Sequence, residues 1–520
     1  MTRTGSVERL ACAVTVPGFN GTTTPDWLAR RIDEGLGGVC WFGHNVPDVE
    51  TARALSDDLH ARRPDIVVLC DEEAGGVSRL EDRTGSSWPG AAALGRLDDV
   101  AATRDVAAAV GRLARKAGID VVLAPVVDVN SDPDNPVIGV RSFGSEPELV
   151  GKHAAAFVDG LQSSGVAACA KHYPGHGATR TDSHLDLPYV DDPEAVLRTR
   201  DIAPFAAVVE AGVRTVMTAH VVFPAMDDQP ATTSARLLGL LRDELGFGGV
   251  IVSDALDMHA ISRRVGRGPG GVQAMAAGVD LLCIGNPGFP AAYDAETVCD
   301  EVVDAIVRAV EDGSLTEERL ADAAARVTAL SQWLDERPEA FGEADDDERF
   351  GLDVARRTIS VRGDVRLRRT PFVVDVAGPV SIAAGHRHAH LLDALVADAP
   401  GAEVCTLPSG APESHVDEVL AAAGDRDVVI VVSSRLDPAT VANVRTLVAA
   451  APDAVVVSAG SAVEIDATGR GAVDTFGGGR ATAVAVAEAL GVAVLDDDPN
   501  GPPATADGLD HTDSRQRGLA

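Results

Sequence analysis

Lysine is nearly missing from this chain. It occurs only at positions 116, 152 and 171, so the basic total of 45 is almost all arginine and faces 79 acidic residues, for a net charge of -34. A surface so acidic repels phosphate backbones, which excludes a general nucleic-acid partner. Aromatic residues make up 4%, leaving valine, alanine and leucine to fill the cores that 45% hydrophobic content allows. No apolar run is long enough to span a bilayer, and the start, Met1-Thr-Arg-Thr-Gly-Ser-Val-Glu8, lacks the charged-then-apolar order of a signal peptide, so no membrane partner is expected and the default location is the cytoplasm. The seven cysteines, at 12, 40, 70, 169, 283, 299 and 405, have no paired spacing. Such an odd, dispersed set argues against a disulfide framework and a zinc site, and for small core residues in a reducing compartment.

With 520 residues, two or three domains are expected. Short apolar runs alternate with helical stretches: Ala11–Val16, Gly38–Phe42, Ile66–Cys70, Val121–Ala124, Val166–Ala170, Thr215–Thr218, Val250–Ser253 and Val279–Ile284. Helices are read near 49–61, 98–117, 146–163 and 236–244, with a helical tail through Leu334. Eight strands are the number that closes a parallel (β/α)8 barrel, placed at residues 1–335. In a barrel the chemistry sits at the carboxyl ends of the strands. Here those ends carry Gly18, Gly43-His44, Asp71-Glu-Glu, Pro125 to Asp128, Lys171-His172, His220, Asp254 and Asn286. One Asp or Asn after a strand is most often a helix cap; this many polar groups on one face point to a site.

Residues 336–350 are acidic and poor in apolar side chains, as in an exposed linker. A second alternation over 351–495 has runs at Phe372–Val376, Val380–Ala384, Val404–Leu407, Val428–Ser433 and Ala454–Ser458, and helices near 389–398, 414–423, 438–450 and 480–490. It reads as a smaller α/β sandwich. Gly477-Gly-Gly479 matches no phosphate loop and reads as a turn. Residues 496–520, rich in Asp, Pro, Gly and Ser, read as a disordered tail.

One stretch concentrates the chemistry: Lys171-His-Tyr-Pro-Gly-His-Gly-Ala-Thr-Arg-Thr-Asp-Ser-His184. With 13 histidines in the chain, a window of this length should hold about 0.35 by composition, and this one holds His172, His176 and His184. Pro174, Gly175 and Gly177 forbid an immediate helix, so a loop follows the strand. Asp182 and His184, one residue apart, lie on the same side of an extended segment. The carboxylate can then accept the imidazole N–H, fix its tautomer and make His184 a proton donor near neutral pH.

The stretch resembles the signature of glycoside hydrolase family 3, in its β-N-acetylhexosaminidase branch. Asp71-Glu-Glu-Ala-Gly-Gly-Val-Ser-Arg79, Asn135-Pro-Val-Ile-Gly-Val-Arg-Ser-Phe-Gly144, Met217-Thr-Ala-His220, Pro230-Ala-Thr-Thr and Gly246-Phe-Gly-Gly-Val-Ile-Val-Ser-Asp-Ala-Leu-Asp-Met258 resemble the same family in the same order, across roughly residues 10–340. The resemblance implies Asp254 as nucleophile and His184, oriented by Asp182, as acid/base. It further implies that Asp71, Arg79, Arg141, Lys171, His172 and His176 bind sugar hydroxyls and the N-acetyl group, with weaker roles for His220 and Met258; core filling explains Met258 equally well. A retaining glycosidase needs a carboxylate to attack the anomeric carbon and a second group to protonate the leaving oxygen, which these residues can supply. Two departures stand out: the family usually has Asp at Ala178 and Gly at Ala74.

The implied activity is that of a retaining β-N-acetylglucosaminidase acting on small soluble glycosides, peptidoglycan-recycling fragments or chitooligosaccharides, with no metal or organic cofactor. An imidazole, unlike a glutamate, does not repel an incoming phosphate, so phosphorolysis with inorganic phosphate as co-substrate is an alternative, as is a family 3 β-glucosidase. Rivals from other classes are a Schiff-base lyase using Lys171, a metal-dependent hydrolase using His172, His176, His220 and Asp254, and a non-catalytic sugar-binding protein. No sequence feature sets an oligomeric state.

Overall fold

A computed structural model describes residues 3–289, 291–336, 344–376, 378, 389–397, 399–433, 437–460 and 469–492. Its first part is the expected barrel. The strands are β1 (Thr15–Pro17), β2 (Gly38–Trp41), β3 (Val67–Cys70), β4 (Val121–Val122), β5 (Ala167–Tyr173), β6 (Thr215–Thr218), β7 (Val250–Val252) and β8 (Leu282–Gly285). β2 to β7 form one parallel ladder in chain order, through pairs such as Gly38↔Val67, Leu69↔Val121, Val121↔Ala167, Cys169↔Thr215 and Thr215↔Val250. β8 pairs with β1, Leu282 opposite Thr15. The two groups meet at a parallel bridge between Val252 and Leu281, and at a hydrogen bond of 2.9 Å from Gly37 N to Cys12 O.

Every barrel strand is buried on both faces, which is why each reads as a continuous apolar run. The interior is filled by side chains including Val16, Cys40, Leu69, Leu123, Cys169, Met217, Val252 and Cys283, and Leu330 and Leu334 join this cluster from the last barrel helix. All seven cysteines are unpaired, and burial drives the Cys169 thiol up to about 12. Among the described residues, no helix is long and apolar enough to cross a membrane.

Two strands differ from expectation. Ala11–Ala13 end a helix (Arg3–Ala13) whose apolar residues Ala11 and Cys12 pack inward; a short apolar run does not by itself distinguish strand from helix. β5 continues past Ala170 to Tyr173, so Lys171 and His172 are buried residues of the strand itself, beside a register irregularity between Ala170 and Tyr173.

The second part is a six-stranded sheet: β9 (Ser360–Gly363), β10 (Pro371–Val376), β11 (Glu403–Leu407), β12 (Asp427–Val432), β13 (Val455–Ser458) and β14 (Gly471–Asp474), in the order β9-β14-β13-β12-β10-β11. All pairs are parallel except β9 with β14. Helices Glu413–Ala423 and Pro438–Ala450 contribute to the apolar cluster on one face, Ala389–Val396 and Arg480–Leu490 to that on the other. β9 and β14 lack an apolar run long enough to register in the sequence. The expected strand Val380–Ala384 and the tail 496–520 lie outside the described residues.

The expected linker also changes. A helix, Ala344–Thr358, occupies its second half. Phe350 and Val354, four apart, place an apolar stripe against the barrel core within an otherwise charged sequence. Asp347 accepts two bonds from Arg112, at 2.7 and 2.5 Å, and its carbonyl accepts from Trp88 Nε1 at 3.1 Å. On the helix's other side Leu352 and Ala355, with Ile359 just past its end, pack with Ala481 and Ala485 of the second domain.

Candidate active site

The carboxyl ends of the strands enclose a cavity of about 310 Å3 whose walls include Asp71, Glu73, Arg79, Arg141, Lys171, His172, His176, His184, Asp254 and Met258. One wall is a charge cluster. After β3, Glu72–Ala74 pairs antiparallel with Val77–Ser78 in a hairpin that carries the acids. Lys171, 2% exposed at the end of β5, places Nζ 2.7 Å from Asp71 Oδ1 and 2.6 Å from Glu73 Oε1. Arg141, on the turn Gly139–Arg141, grips Glu73 with two parallel bonds of 2.9 and 2.7 Å, and Arg79 lies 3.6 Å from Asp71 Oδ2. Burial works against the charged form of Asp71 and Glu73, but Lys171 with Arg79 in the first case, and Arg141 with Lys171 in the second, hold both below the usual carboxylate range. The same carboxylates hold Lys171 above its ordinary value against burial. A lysine so charged and doubly paired is unsuited to Schiff-base chemistry.

Glu73 has no role assigned from sequence, although it occupies Arg141 and half of Lys171. Its signal was the chain of three acids after a strand end. At the hairpin tip Ala74 takes φ 62°, the left-handed region where the family usually has Gly. That conformation costs an alanine roughly 1 kcal/mol, and the buried methyl returns about as much. The other departure, Ala178, is half-buried and packs against the barrel core.

Asp128, fully buried after β4, organises the histidine loop. One carboxylate oxygen accepts from the His172 ring Nδ1 at 2.7 Å; the other accepts from the backbone N–H of His172 at 3.2 Å and of His176 at 2.7 Å. The sequence placed Asp128 at a strand end without assigning it a role. His176 was expected to contact sugar, and it does border the cavity. Both ring nitrogens are nevertheless engaged inside the loop, Nδ1 with Thr179 Oγ1 at 2.7 Å and Nε2 with Ser183 Oγ at 2.9 Å. Burial, then the neighbouring His172, lower it to about 4, so the ring is a neutral brace.

Further along the loop, Asp182 Oδ1 accepts from the His184 backbone N–H at 2.9 Å and from ring Nδ1 at 2.8 Å. With Nδ1 as donor, Nε2 is the atom left for proton exchange with a bound molecule. The loop is tied down by bonds from His259 N to His184 O and Ala260 N to Ser183 O, at 3.3 and 3.4 Å, and the Phe289 ring lies 6.0 Å from the His184 ring. Asp254, two residues past the end of β7 and half-buried, accepts from Ala255 N at 2.8 Å. Burial pushes its carboxyl up, but His220, His172 and His184 together hold it below the ordinary range, so it is ionised. His220 corrects an expectation: it is fully buried and outside the cavity wall, with Nδ1 bonded to Thr232 Oγ1 at 2.7 Å and Nε2 to Ala255 O at 3.0 Å. It braces the backbone beside Asp254. Met258 does reach the wall.

Asp257, missed by sequence reasoning, also lines the cavity. Nearly all of it is buried, which drives its carboxyl well above the usual range, and Tyr293 OH donates to it at 3.3 Å. Its signal was the spacing Asp254-x-x-Asp257 after a strand end. Among the described residues no group of three or more His, Cys, Asp or Glu is arranged to hold a metal ion. What the cavity can do is bring an ionised carboxylate and a carboxylate-oriented imidazole to one ligand, the pair that double displacement at an anomeric carbon requires.

Residues 18–330 match the family model described as the glycosyl hydrolase family 3 N terminal domain. Over 342 residues the chain is 33% identical to beta-hexosaminidase A of Pseudoalteromonas piscicida, a match covering 60% of this chain and 56% of that protein. Over 277 residues it is 36% identical to a beta-hexosaminidase of Neisseria meningitidis serogroup B, covering 51% of this chain and 75% of that one. The first of these matches therefore spans only a little over half of its relative's length. Among solved structures, a glycoside hydrolase family 3 beta-N-acetylglucosaminidase from Paenibacillus sp. str. FPU-7 superposes with a TM-score of 0.82 at 30% identity, over 95% of this chain and 97% of that one. A family model matched over more than half of the chain, and running through β2 to β8, establishes that the chain belongs to glycosyl hydrolase family 3.

Proposed function

We propose that the chain is a retaining β-N-acetylglucosaminidase that removes terminal β-linked N-acetylglucosamine from small soluble glycosides through a covalent glycosyl-aspartyl intermediate. The observation that carries the reading is the meeting, in one cavity, of ionised Asp254 and of His184 held by Asp182. Asp254 attacks the anomeric carbon while His184 Nε2 gives its proton to the leaving oxygen; the imidazole then takes a proton from an incoming water, whose oxygen bonds to the anomeric carbon as the bond to Asp254 breaks and frees the carboxylate. Asp71, Arg79, Lys171 and His172 bind the sugar, since charged groups make the strongest hydroxyl hydrogen bonds. The names of the relatives support an N-acetylhexosaminide substrate. Peptidoglycan-recycling fragments and chitooligosaccharides are the substrates we favour, and the seven unpaired cysteines support a cytoplasmic setting.

The test is turnover of an aryl β-N-acetylglucosaminide with and without phosphate, the sugar product read by NMR. Free N-acetylglucosamine unaffected by phosphate is the expected result. N-acetylglucosamine 1-phosphate of α configuration would make the enzyme a phosphorylase on the same nucleophile. No turnover beside good activity on the β-glucoside would overturn the N-acetyl specificity.

A further inference from the structure

The segment from Glu72 to Trp88 lies between the cavity and the second domain. It contributes Glu73, Val77, Arg79 and Asp82 to the cavity wall, yet beyond Ser78 it has neither helix nor strand. A stretch without its own ladder keeps its shape through tethers. These run without interruption to the second domain. Arg79 N donates to Glu72 Oε2 at 3.0 Å, and Glu72 pairs with Ser78 across the hairpin. Ser78 Oγ accepts from Glu81 N at 2.9 Å, and Glu81 accepts from both the N–H, at 2.9 Å, and the hydroxyl of Ser87. The far end is Arg480, at the start of the helix Arg480–Leu490: its guanidinium donates to Ser87 Oγ at 2.7 Å and lies 3.8 Å from Glu81 Oε1. Beside it, Ala481 N donates to Ser86 O at 3.2 Å.

The glycine run before Arg480, read from sequence as a turn, makes this contact possible. A Cβ on Gly479, where φ is 118°, would lie 3.1 Å from Gly75 O and 3.2 Å from Ser86 O. From the opposite side, a Cβ on Gly85 would lie 2.8 Å from Arg480 N. The two backbones meet where neither tolerates a side chain.

We propose that Arg480 is a positioning residue of the active site: from the second domain, through Ser87 and Glu81, it sets the segment that presents Arg79 to the sugar. This deepens the glycosidase reading and rests on it for the identity of the ligand. The second domain then acts on substrate affinity without touching substrate.

The experiment uses the full chain with Arg480→Ala, Arg480→Lys and, as control, Arg357→Ala, which removes another link between the domains, the 2.6 Å pair with Asp99, away from this segment. Two readouts are taken: amide hydrogen exchange over residues 75–88, and KM and kcat on an aryl glycoside. Arg480→Ala should speed exchange in the segment and raise KM at least about ten-fold, the lower end for the loss of one charged hydrogen bond, with kcat within about two-fold. Arg480→Lys should recover part of both, and Arg357→Ala should change neither. Unchanged exchange, or a KM equal to wild type, would overturn the assignment. If the wild type turns over no glycoside, the proposed function fails by itself, and the exchange comparison alone decides whether Arg480 holds the segment.

Discussion

Replacing Lys171 by methionine probes the charge cluster with little change in volume. The Lys171 ammonium is almost wholly buried and bridges Asp71 and Glu73 at 2.7 and 2.6 Å. In its absence Glu73 keeps the two bonds from Arg141, but Asp71 retains only Arg79 at 3.6 Å. Breaking a buried pair from one side costs about 3–5 kcal/mol because a charge is left uncompensated. At about 2 °C per kcal/mol for a large domain, the melting temperature at pH 7 should fall by roughly 6–10 °C. The pH dependence identifies the cause. In the wild type both carboxylates titrate below their unfolded values, so their stabilisation is present above about pH 4 and is lost as pH falls through the folded values. In the variant, burial of Asp71 is no longer opposed by Lys171; its pKa rises and proton uptake relieves the uncompensated charge. The gap between wild type and variant should be largest near pH 7 and should narrow as pH falls from about 6 to 4. Thermal melts of both proteins across that range are the assay. A fall of less than about 2 °C, or a gap that stays constant with acid, would refute the view that Lys171 neutralises Asp71.

Asp254→Asn should lower kcat by at least about four orders of magnitude while sugar binding, followed by calorimetry, persists; substantial residual turnover would remove Asp254 as nucleophile. His184→Ala should slow substrates with poor leaving groups by roughly 100- to 10,000-fold and activated aryl glycosides far less, and an equal loss on both would rule out its role as acid. His176→Asn should destabilise the chain by about 1–3 kcal/mol above pH 6.5, through the lost brace to Thr179 or Ser183. Because the native ring titrates near 4, below its unfolded value, that difference should shrink as pH falls from 6.5 to 4, which melts at three pH values would reveal.

The barrel was legible because strands covered on both faces must be apolar throughout, and such runs stand out between amphipathic helices. β9 and β14 were not: the edge strand Ser360–Gly363 has three exposed residues, and buried Gly471–Asp474 holds only Ala472 and Val473 as an apolar pair. Asp254 and the Asp182–His184 pair were visible from local order and resemblance. Roles fixed by long-range contacts were not. His172, His176 and His220 share a side chain and a place near strand ends, yet they differ by partner: Asp128 for the first, loop hydroxyls for the second, and Thr232 with a backbone carbonyl for the third. The contribution of Glu73 depended on Arg141, 68 residues away. The acidic stretch before residue 350 hid a helix because charge was more conspicuous than the spacing of Phe350 and Val354.

That helix has a thermodynamic consequence. Ala344–Thr358 gives Phe350 and Val354 to the packing of the barrel and Leu352 and Ala355 to a cluster completed by the second domain. Neither half can lose its structure without stripping apolar cover from the other, so the free energies of the two halves are coupled. Heating the intact chain should melt both together in one calorimetric peak, and cleaving between residues 335 and 344 should leave that peak single as long as the helix stays docked.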